Sequence, residues 1–389
     1  MSAAPFQSRA VTPAARAVAL TATDFPDFRP SFAVAEGDRV AAGQPLFADR
    51  HRPDLVAVAP VAGTVARLAL GARRRLAAVE IAVAAAEAEP EAPSAAHACA
   101  DEGEVRAALT VTGLWPHLRA MPYGGPPDPA ARPDAVLVLS PDPAALADSA
   151  ETRALERGLA ALGHITDGPV YLCQAAGPPL VPASGRVRVP PPQPWSAGQW
   201  LAHLRSVADG GTAWVAEVQD VAALGRWCEG GVAPGTRAVR ITLPDGTQRR
   251  HDLPLGADLT DVAAALWPQA QVSITAGTMR PWRPARWLGL SERVVALSPT
   301  EAPRSAALHH WGHPGPAPLI PLGGLDRHLP PGVAAVPLLR ALSTGDAAAA
   351  DRLGARDLIE EDVAPLSVAG PDAPTLLRRV LNDLRAAAA

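Results

Sequence analysis

The stretch VAEGDRVAAGQPLFADRHRPDLVAVAPVAGTVA, Val34 to Ala66, constrains the fold more than any other part of the chain. Val56 and Val58 alternate with small residues, and Val79, Ile81 and Val83 do the same further on. That is the period-2 pattern of half-buried strands. Gly37, Gly43, Gly63 and Gly71 punctuate the strands where tight turns are required. GDRVAAGQPL is echoed by APVAGTVARL, the approximate internal two-fold that a barrel sandwich produces. Residues from about Phe28 to Val83 are therefore predicted to be β-rich.

Such a module is similar to the swinging-arm (biotinyl/lipoyl-like) domains of biotin and lipoyl enzymes, which carry their cofactor on a lysine at a hairpin tip. Arg50, His51 and Arg52 stand near that place, and the chain contains no lysine at all. Its wealth of Ala, Arg, Pro and Gly matches the codon bias of a GC-rich genome. The chemical consequence is firm: Schiff-base, Walker-type and lysine-tethered cofactor chemistry are excluded. Either the module has lost its cargo, or it was never a carrier arm.

With 389 residues the chain has room for two to four domains. A net charge of −4 argues against a nucleic-acid protein, which needs basic surface for phosphate contacts. The three cysteines, Cys99, Cys173 and Cys228, are far apart and form no CxxC pair. They suggest a reducing compartment and supply no zinc or iron–sulfur spacing. No apolar run approaches the roughly 20 residues of a membrane helix. Arg9 and Arg16 without a nearby acid faintly imitate a transit peptide, but a signal-type apolar region is missing. A soluble cytoplasmic chain is the expectation.

After an Ala/Glu/Pro linker, AAAEAEPEAPS, an α/β region begins. AVLVLS is a continuous apolar run of the kind that forms a buried parallel strand. Leu155, Leu159 and Leu162 follow at helical spacing, with Ser149 as N-cap and Gly163 as stop. VYLC, WLAHLRSV and TAWVAEV continue the alternation of strands and helices. GGVAPG opens a third unit with strands at VRITL, QVSITAG and RVVALSP and a short helix capped by Thr260. The chain ends in an amphipathic helix marked by Leu377, Val380, Leu381 and Leu384, with Pro374 in its first turn.

Candidate chemistry is sparse. There is no GxGxxG and no GxxxxGK[ST] at a strand-to-helix turn, so the α/β region is not expected to bind NAD or FMN. HHWGH offers His309, His310 and His313, but Gly312 and Pro314 oppose a shared helix face and no Cys or carboxylate lies close by. A solvated loop is the simpler reading. MRPWRPARWLG interleaves Arg280, Arg283 and Arg286 with Trp282 and Trp287, either as a partner- or membrane-adjacent surface or as a packed hairpin with snorkelling arginines. Arg73, Arg74 and Arg75 make a basic tip, either solvated or facing an acidic partner. Glu360, Glu361 and Asp362 read as a solvated helix start. In LWPHLRAMPYGG, Trp115, His117, Arg119 and Tyr123 are able to clasp a flat, carbonyl-bearing ligand, or else cap the sheet.

The order of segments carries a resemblance. RPSFAVAEGDRVAAGQPLFADRHRPDLVAVAPVAGTVARLALGARRRLAAVEI resembles the start of the NqrA subunit in the sodium-translocating NADH:quinone reductase (Nqr) family. GLWPHLRAMPYG is similar to that family's GLWxxxRxRPF segment, and VYLC, WVAEVQDVAALGRWCEGG and RVVALSP to later pieces. PLLRALSTGDAAAADRLGARDLIEEDVAPLS and GPDAPTLLRRVLNDL complete the series, in order, over nearly the whole chain.

The resemblance implies an α+β multidomain chain: a barrel-sandwich hybrid with its arm and linker (1–95), a Rossmann-like α/β domain (96–232), a β-grasp, SLBB-like domain (233–300) and a C-terminal helical domain (301–389). It implies a peripheral subunit on the cytoplasmic side of the bacterial inner membrane, docked on the other subunits of a membrane redox complex. It carries no flavin or iron–sulfur centre of its own; NAD, FMN and Fe–S belong to partner subunits only. Ubiquinone binding is implied too, at Arg29 and Arg119, with Tyr123 standing where the family has Phe; Trp115 and Tyr123 would then line the ring. No residue is then a chemical catalyst or metal ligand. The tail departs from the family's CxxVCPGK, reading LSVAGPD, with Ser367 and Ala369 near the cysteine positions. A stand-alone adaptor, or a component of a different, Rnf-like redox complex, is the alternative.

Overall fold

The computed structural model describes residues 15–26, 28–84, 99–142, 146, 149–193, 195, 197–204, 211–230, 235–278, 281–300 and 319–388. The HHWGH histidines, Arg280 and most of the Ala/Glu/Pro linker lie outside them.

Glycine turns organise the first unit. Its strands are β1 (Ala17–Thr21), β2 (Pro30–Phe32), β3 (Arg39–Val40) and β4 (Pro45–Asp49). They are followed by β5 (Arg52–Val58), β6 (Gly63–Leu70) and β7 (Leu76–Val83). Two sheets result, in the orders β1-β7-β6-β3 and β2-β4-β5. Gly37 and Gly43 turn the chain at φ +91° and +80°, in the left-handed region that suits glycine. At Gly63 a Cβ would stand 2.2 Å from the Ala82 carbonyl oxygen, so only glycine lets β6 lie this close to β7. The apolar alternation turns Leu46, Leu55, Val65, Val79 and Ile81 into one core, where Phe25 meets Phe28 and Phe47 edge-on at 5.1 Å.

The second unit is α/β. It comprises α1 (Glu102–Val111), β8 (Arg119–Met121), β9 (Ala135–Ser140), α2 (Ser149–Leu162) and β10 (Val170–Gln174). Then come β11 (Val187–Arg188), α3 (Ala197–Leu204), β12 (Ala213–Glu217) and α4 (Val218–Gly230). The sheet order is β11-β10-β9-β12-β8, parallel except for β8. Strands β9, β10 and β12 are buried along their whole length, which explains their unbroken apolar runs.

Helices α2 and α4 cross through two glycines. A Cβ on Gly158 would lie 1.9 Å from the Val221 carbonyl oxygen, and one on Gly225 1.8 Å from that of Ala154. Because both obstacles are backbone, neither yields by a rotamer change. Gly225→Ala is therefore expected to destabilise the chain by about 1–3 kcal/mol despite its better helix propensity. Urea unfolding of the variant checks this, and an unchanged midpoint would contradict the close crossing.

The cysteines depart from expectation. Cys99 and Cys228 form a disulfide across 129 residues. The start of α1 and the end of α4 lie side by side, a proximity that linear spacing does not reveal. Cys173 is buried as a free thiol, and burial pushes its pKa up beyond the ordinary thiol range.

The third unit contains β13 (Thr236–Thr242), β14 (Gln248–Pro254), α5 (Leu259–Leu266), β15 (Val272–Gly277), β16 (Arg283–Pro284) and β17 (Val294–Pro299). Its sheet runs β14-β13-β17-β15-β16, with β13 and β17 parallel and the other neighbours antiparallel. Leu259 and Val262 of α5 pack on Val239, Ile241 and Val295. The cap of α5 is Asp258, whose carboxylate accepts from the Thr260 amide at 2.9 Å; the expected cap, Thr260, is already inside the helix.

The fourth unit is helical: α6 (Ala335–Thr344), α7 (Ala347–Arg352), α8 (Glu360–Val363) and α9 (Ala373–Ala388). Leu338, Leu342, Leu358, Leu366, Leu377, Val380 and Leu381 form its core, so the apolar stripe read on the last helix faces inward. Its acids are not solvated as expected. Glu361 is 3% exposed and Asp362 is fully buried, where its carboxylate accepts from the Ile359 amide.

Candidate functional site

All four units contribute to one cleft of about 910 Å³. The first supplies Asp24 and Pro26, the second Leu118 and Arg119, the third Trp282, Arg283 and Glu292, the fourth Glu360 and Arg378. Their positions follow from local structure. Arg119 opens the edge strand β8, whose free side is taken up by a bridge from Ala120 to Gly125, and its side chain reaches Glu360 of the fourth unit. Arg283 lies in the two-residue edge strand β16. Glu360 is the first residue of α8, and Arg378 sits on the polar face of α9.

The charges are arranged in two groups. Glu360 takes Arg378 as a close partner and Arg119 at 3.8 Å, and Arg378 also donates to the Tyr123 carbonyl at 3.0 Å. Across the cleft, Arg283 donates to Glu292 at 2.6 Å. Asp24 and Glu292 flank Gly289: the Gly289 amide donates to Glu292 at 2.8 Å and the Leu290 amide to Asp24 at 2.7 Å. Burial raises both carboxyls above their ordinary range, and for Glu292 the nearby Asp24 charge adds to it. Arg283 pulls both the other way without cancelling the shift. The cleft thus offers guanidinium donors for carbonyl oxygens beside apolar walls from Leu118, Leu290, Ile359 and Trp282.

The five residues expected to meet a flat ligand, Arg29, Trp115, His117, Arg119 and Tyr123, are not gathered around one space. Arg119 lines the cleft. Trp115 is fully buried, its indole N–H donating to Thr110 at 3.0 Å and its ring edge-on to Trp214 at 5.6 Å. Tyr123 has φ +85°, which turns its amide onto the Arg356 carbonyl at 3.0 Å and packs its ring against the helical core. Arg29 is exposed on the first unit, where its carbonyl accepts from the Arg50 amide. His117 is buried and hydrogen-bonded through Nδ1 to Asp220 at 2.9 Å. An apolar indole and a phenol ring gain more from core contacts than from a polar loop, which short spacing alone does not reveal.

Three cleft residues, Arg378, Asp24 and Glu292, carry no signal in the sequence. Arg378 has the pattern of the solvated side of an amphipathic helix, and the two acids are separated by most of the chain. Trp282 and Arg283 do belong to the arginine–tryptophan segment. Its other pair is locally satisfied: Arg286 stacks on Trp287 at 4.6 Å and pairs with Asp258 at 3.1 Å, as a packed hairpin requires. Among the described residues no group of His, Cys, Asp and Glu is arranged to hold a metal ion.

Comparison with known proteins assigns the domains first. Residues 1–84 match the family of the NqrA N-terminal barrel-sandwich hybrid domain, and residues 100–233 that of the NqrA second alpha/beta domain. The relatives are of one kind. The NqrA subunit of the Na(+)-translocating NADH-quinone reductase of Klebsiella pneumoniae (strain 342) is 30% identical, over 92% of this chain and 91% of its own. Those of Neisseria meningitidis serogroup A and Saccharophagus degradans are each 29% identical, over 94% and 95% of this chain and 93% of their own. The chain belongs to the NqrA family, the A-type subunits of Na(+)-translocating NADH-quinone reductases.

Proposed function

We propose that the chain serves as the peripheral NqrA subunit of a sodium-translocating NADH:quinone reductase on the cytoplasmic face of the membrane. It docks on partner subunits that hold the flavins and iron–sulfur centres and oxidise NADH, and it binds ubiquinone in the four-unit cleft. The third unit is read as β-grasp, SLBB-like, within boundaries 1–95, 96–232, 233–300 and 301–389. Among the described residues no helix is long and apolar enough to cross a membrane, which fits a peripheral place.

The observation that carries the quinone reading is the cleft itself: a space of about 910 Å³ with arginines on facing walls and apolar side chains between them. A quinone ring is flat and apolar with an oxygen acceptor at each end. Arg119 donates to one oxygen, held near its place by Glu360, while the walls exclude water from the ring. Nothing in this arrangement requires a catalytic residue in the chain.

Arg119→Ala is expected to weaken binding of a short-chain ubiquinone by on the order of tenfold or more, the loss of one charge-assisted hydrogen bond. Equilibrium dialysis with the purified full chain measures it. Unchanged affinity in Arg119→Ala would remove this residue from the site, and no saturable binding to the parent chain would remove the site.

A further inference from the structure

Three segments of the first unit converge on one end of its barrel. The Leu76 amide donates to the Phe28 carbonyl at 3.0 Å, and the Arg50 amide to the Arg29 carbonyl at 2.9 Å. These two bonds join the β6–β7 turn, the approach to β2 and the β4–β5 turn. They thereby collect Arg29, Arg50, Arg52, Arg73, Arg74 and Arg75 with His51. Within residues 28–29, 49–54 and 70–75 the only carboxylates are Asp49 and Asp54. Asp49 is spoken for: it is buried, pairs with Arg52 at 3.1 Å and accepts from the His51 amide at 2.9 Å.

Arg29, Arg50, Arg73 and Arg74 are exposed and make no ion pair among the described residues. Arg73 and Arg74 also hold φ of +56° and +57°, a left-handed pair where glycine is the unstrained choice. Leu70, beside them at the end of β6, is 43% exposed. None of these residues lines the cleft.

We propose that this arginine-rich end docks on an anionic phospholipid bilayer. Guanidiniums bind phosphate in bidentate fashion, and Leu70 adds an apolar contact at the headgroup level. The arginines stand on turn tips rather than around a groove, an arrangement suited to a fluid surface whose phosphates move to meet them. With a net charge of −4, the rest of the molecule is repelled by such a surface, so this patch also sets the orientation of approach.

The test is co-sedimentation of the full chain with vesicles. Vesicles of phosphatidylglycerol and phosphatidylcholine in equal parts are expected to bind it in a salt-sensitive manner, and pure phosphatidylcholine vesicles are not. Arg73→Gly with Arg74→Gly removes two charges and relieves the backbone, so misfolding does not explain a loss. It is expected to weaken partitioning by on the order of 30-fold. Arg340→Ala, an exposed arginine on α6, leaves binding unchanged. Equal binding to both vesicle types, or no effect of the glycine pair, overturns the proposal. So does an arginine-dependent association with delipidated membrane subunits in the absence of vesicle binding, which assigns the patch to an acidic protein instead.

Discussion

Arg293→Leu is expected to lower the stability of the full chain by about 3–5 kcal/mol, the cost of breaking a buried ion pair from one side. Arg293 is 3% exposed at the junction of the third unit with the second, and its guanidinium closes on Glu217, itself 5% exposed at the end of β12. Burial pushes the Arg293 pKa down to about 9, against the opposing pull of Glu361 and Asp142. At neutral pH it therefore still carries its charge, and the buried Glu217 has it as ion-pair partner, while Glu361 and Asp142 attract it from further off and Asp142 also pairs with Arg250 at 3.2 Å. Removing it strands the buried Glu217 carboxylate. Glu217→Leu is expected to cost less, because Glu361 and Asp142 still attract the guanidinium. The double variant is expected to recover part of the loss, since a buried pair replaced by apolar side chains no longer leaves a partner stranded. Urea unfolding of the four proteins measures the cycle. A cost below about 1 kcal/mol for Arg293→Leu would mean that solvent reaches the pair.

Much of the architecture is legible because short-range physics dictates it. Alternating valines with glycine at the turns have few solutions other than a β-rich sandwich, and the apolar runs AVLVLS and VYLC do become buried parallel strands β9 and β10. The stripe of Leu377, Val380 and Leu381 does bury one face of α9. What escapes a linear reading is whatever depends on two distant segments meeting. The Cys99–Cys228 bond spans 129 residues, and its spacing alone suggests three separate thiols. Glu361 and Asp362 look solvated in sequence, yet Asp362 lies against Gly198 of the second unit and Glu361 near the buried Arg293 of the third. The cleft is the extreme case: Asp24, Arg119, Glu292 and Arg378 come from four units, and no local pattern links them. Composition misleads in its own way at Trp115 and Tyr123, because an aromatic residue beside an arginine is equally at home in a core.

The His117–Asp220–Arg237 cluster gives the second large effect and a direction with pH. All three are buried, joining the segment before β8, helix α4 and strand β13. Asp220 accepts from Arg237 at 2.6 Å and is hydrogen-bonded to His117 Nδ1 at 2.9 Å. Burial alone raises its pKa, but Arg237 and His117 outweigh it and hold the carboxyl below its ordinary value of 3.8. A carboxyl depressed in the folded state binds fewer protons there than in the unfolded chain. Its stabilisation is therefore complete above pH 3.8 and is lost as the pH falls from that value through the folded one. Asp24 and Glu292 act in the opposite sense: raised in the folded state, they favour folding in acid and lose that contribution as the pH rises through their elevated values. Asp220→Asn is expected to cost about 3–5 kcal/mol at neutral pH, because it strands the buried Arg237. The same change removes the Asp220 share of acid sensitivity, so the stability gap between variant and parent narrows as the pH drops below 3.8. Unfolding midpoints measured from pH 7 downward decide the matter, and a gap that stays constant through the acid range would show that Asp220 is not the titrating group.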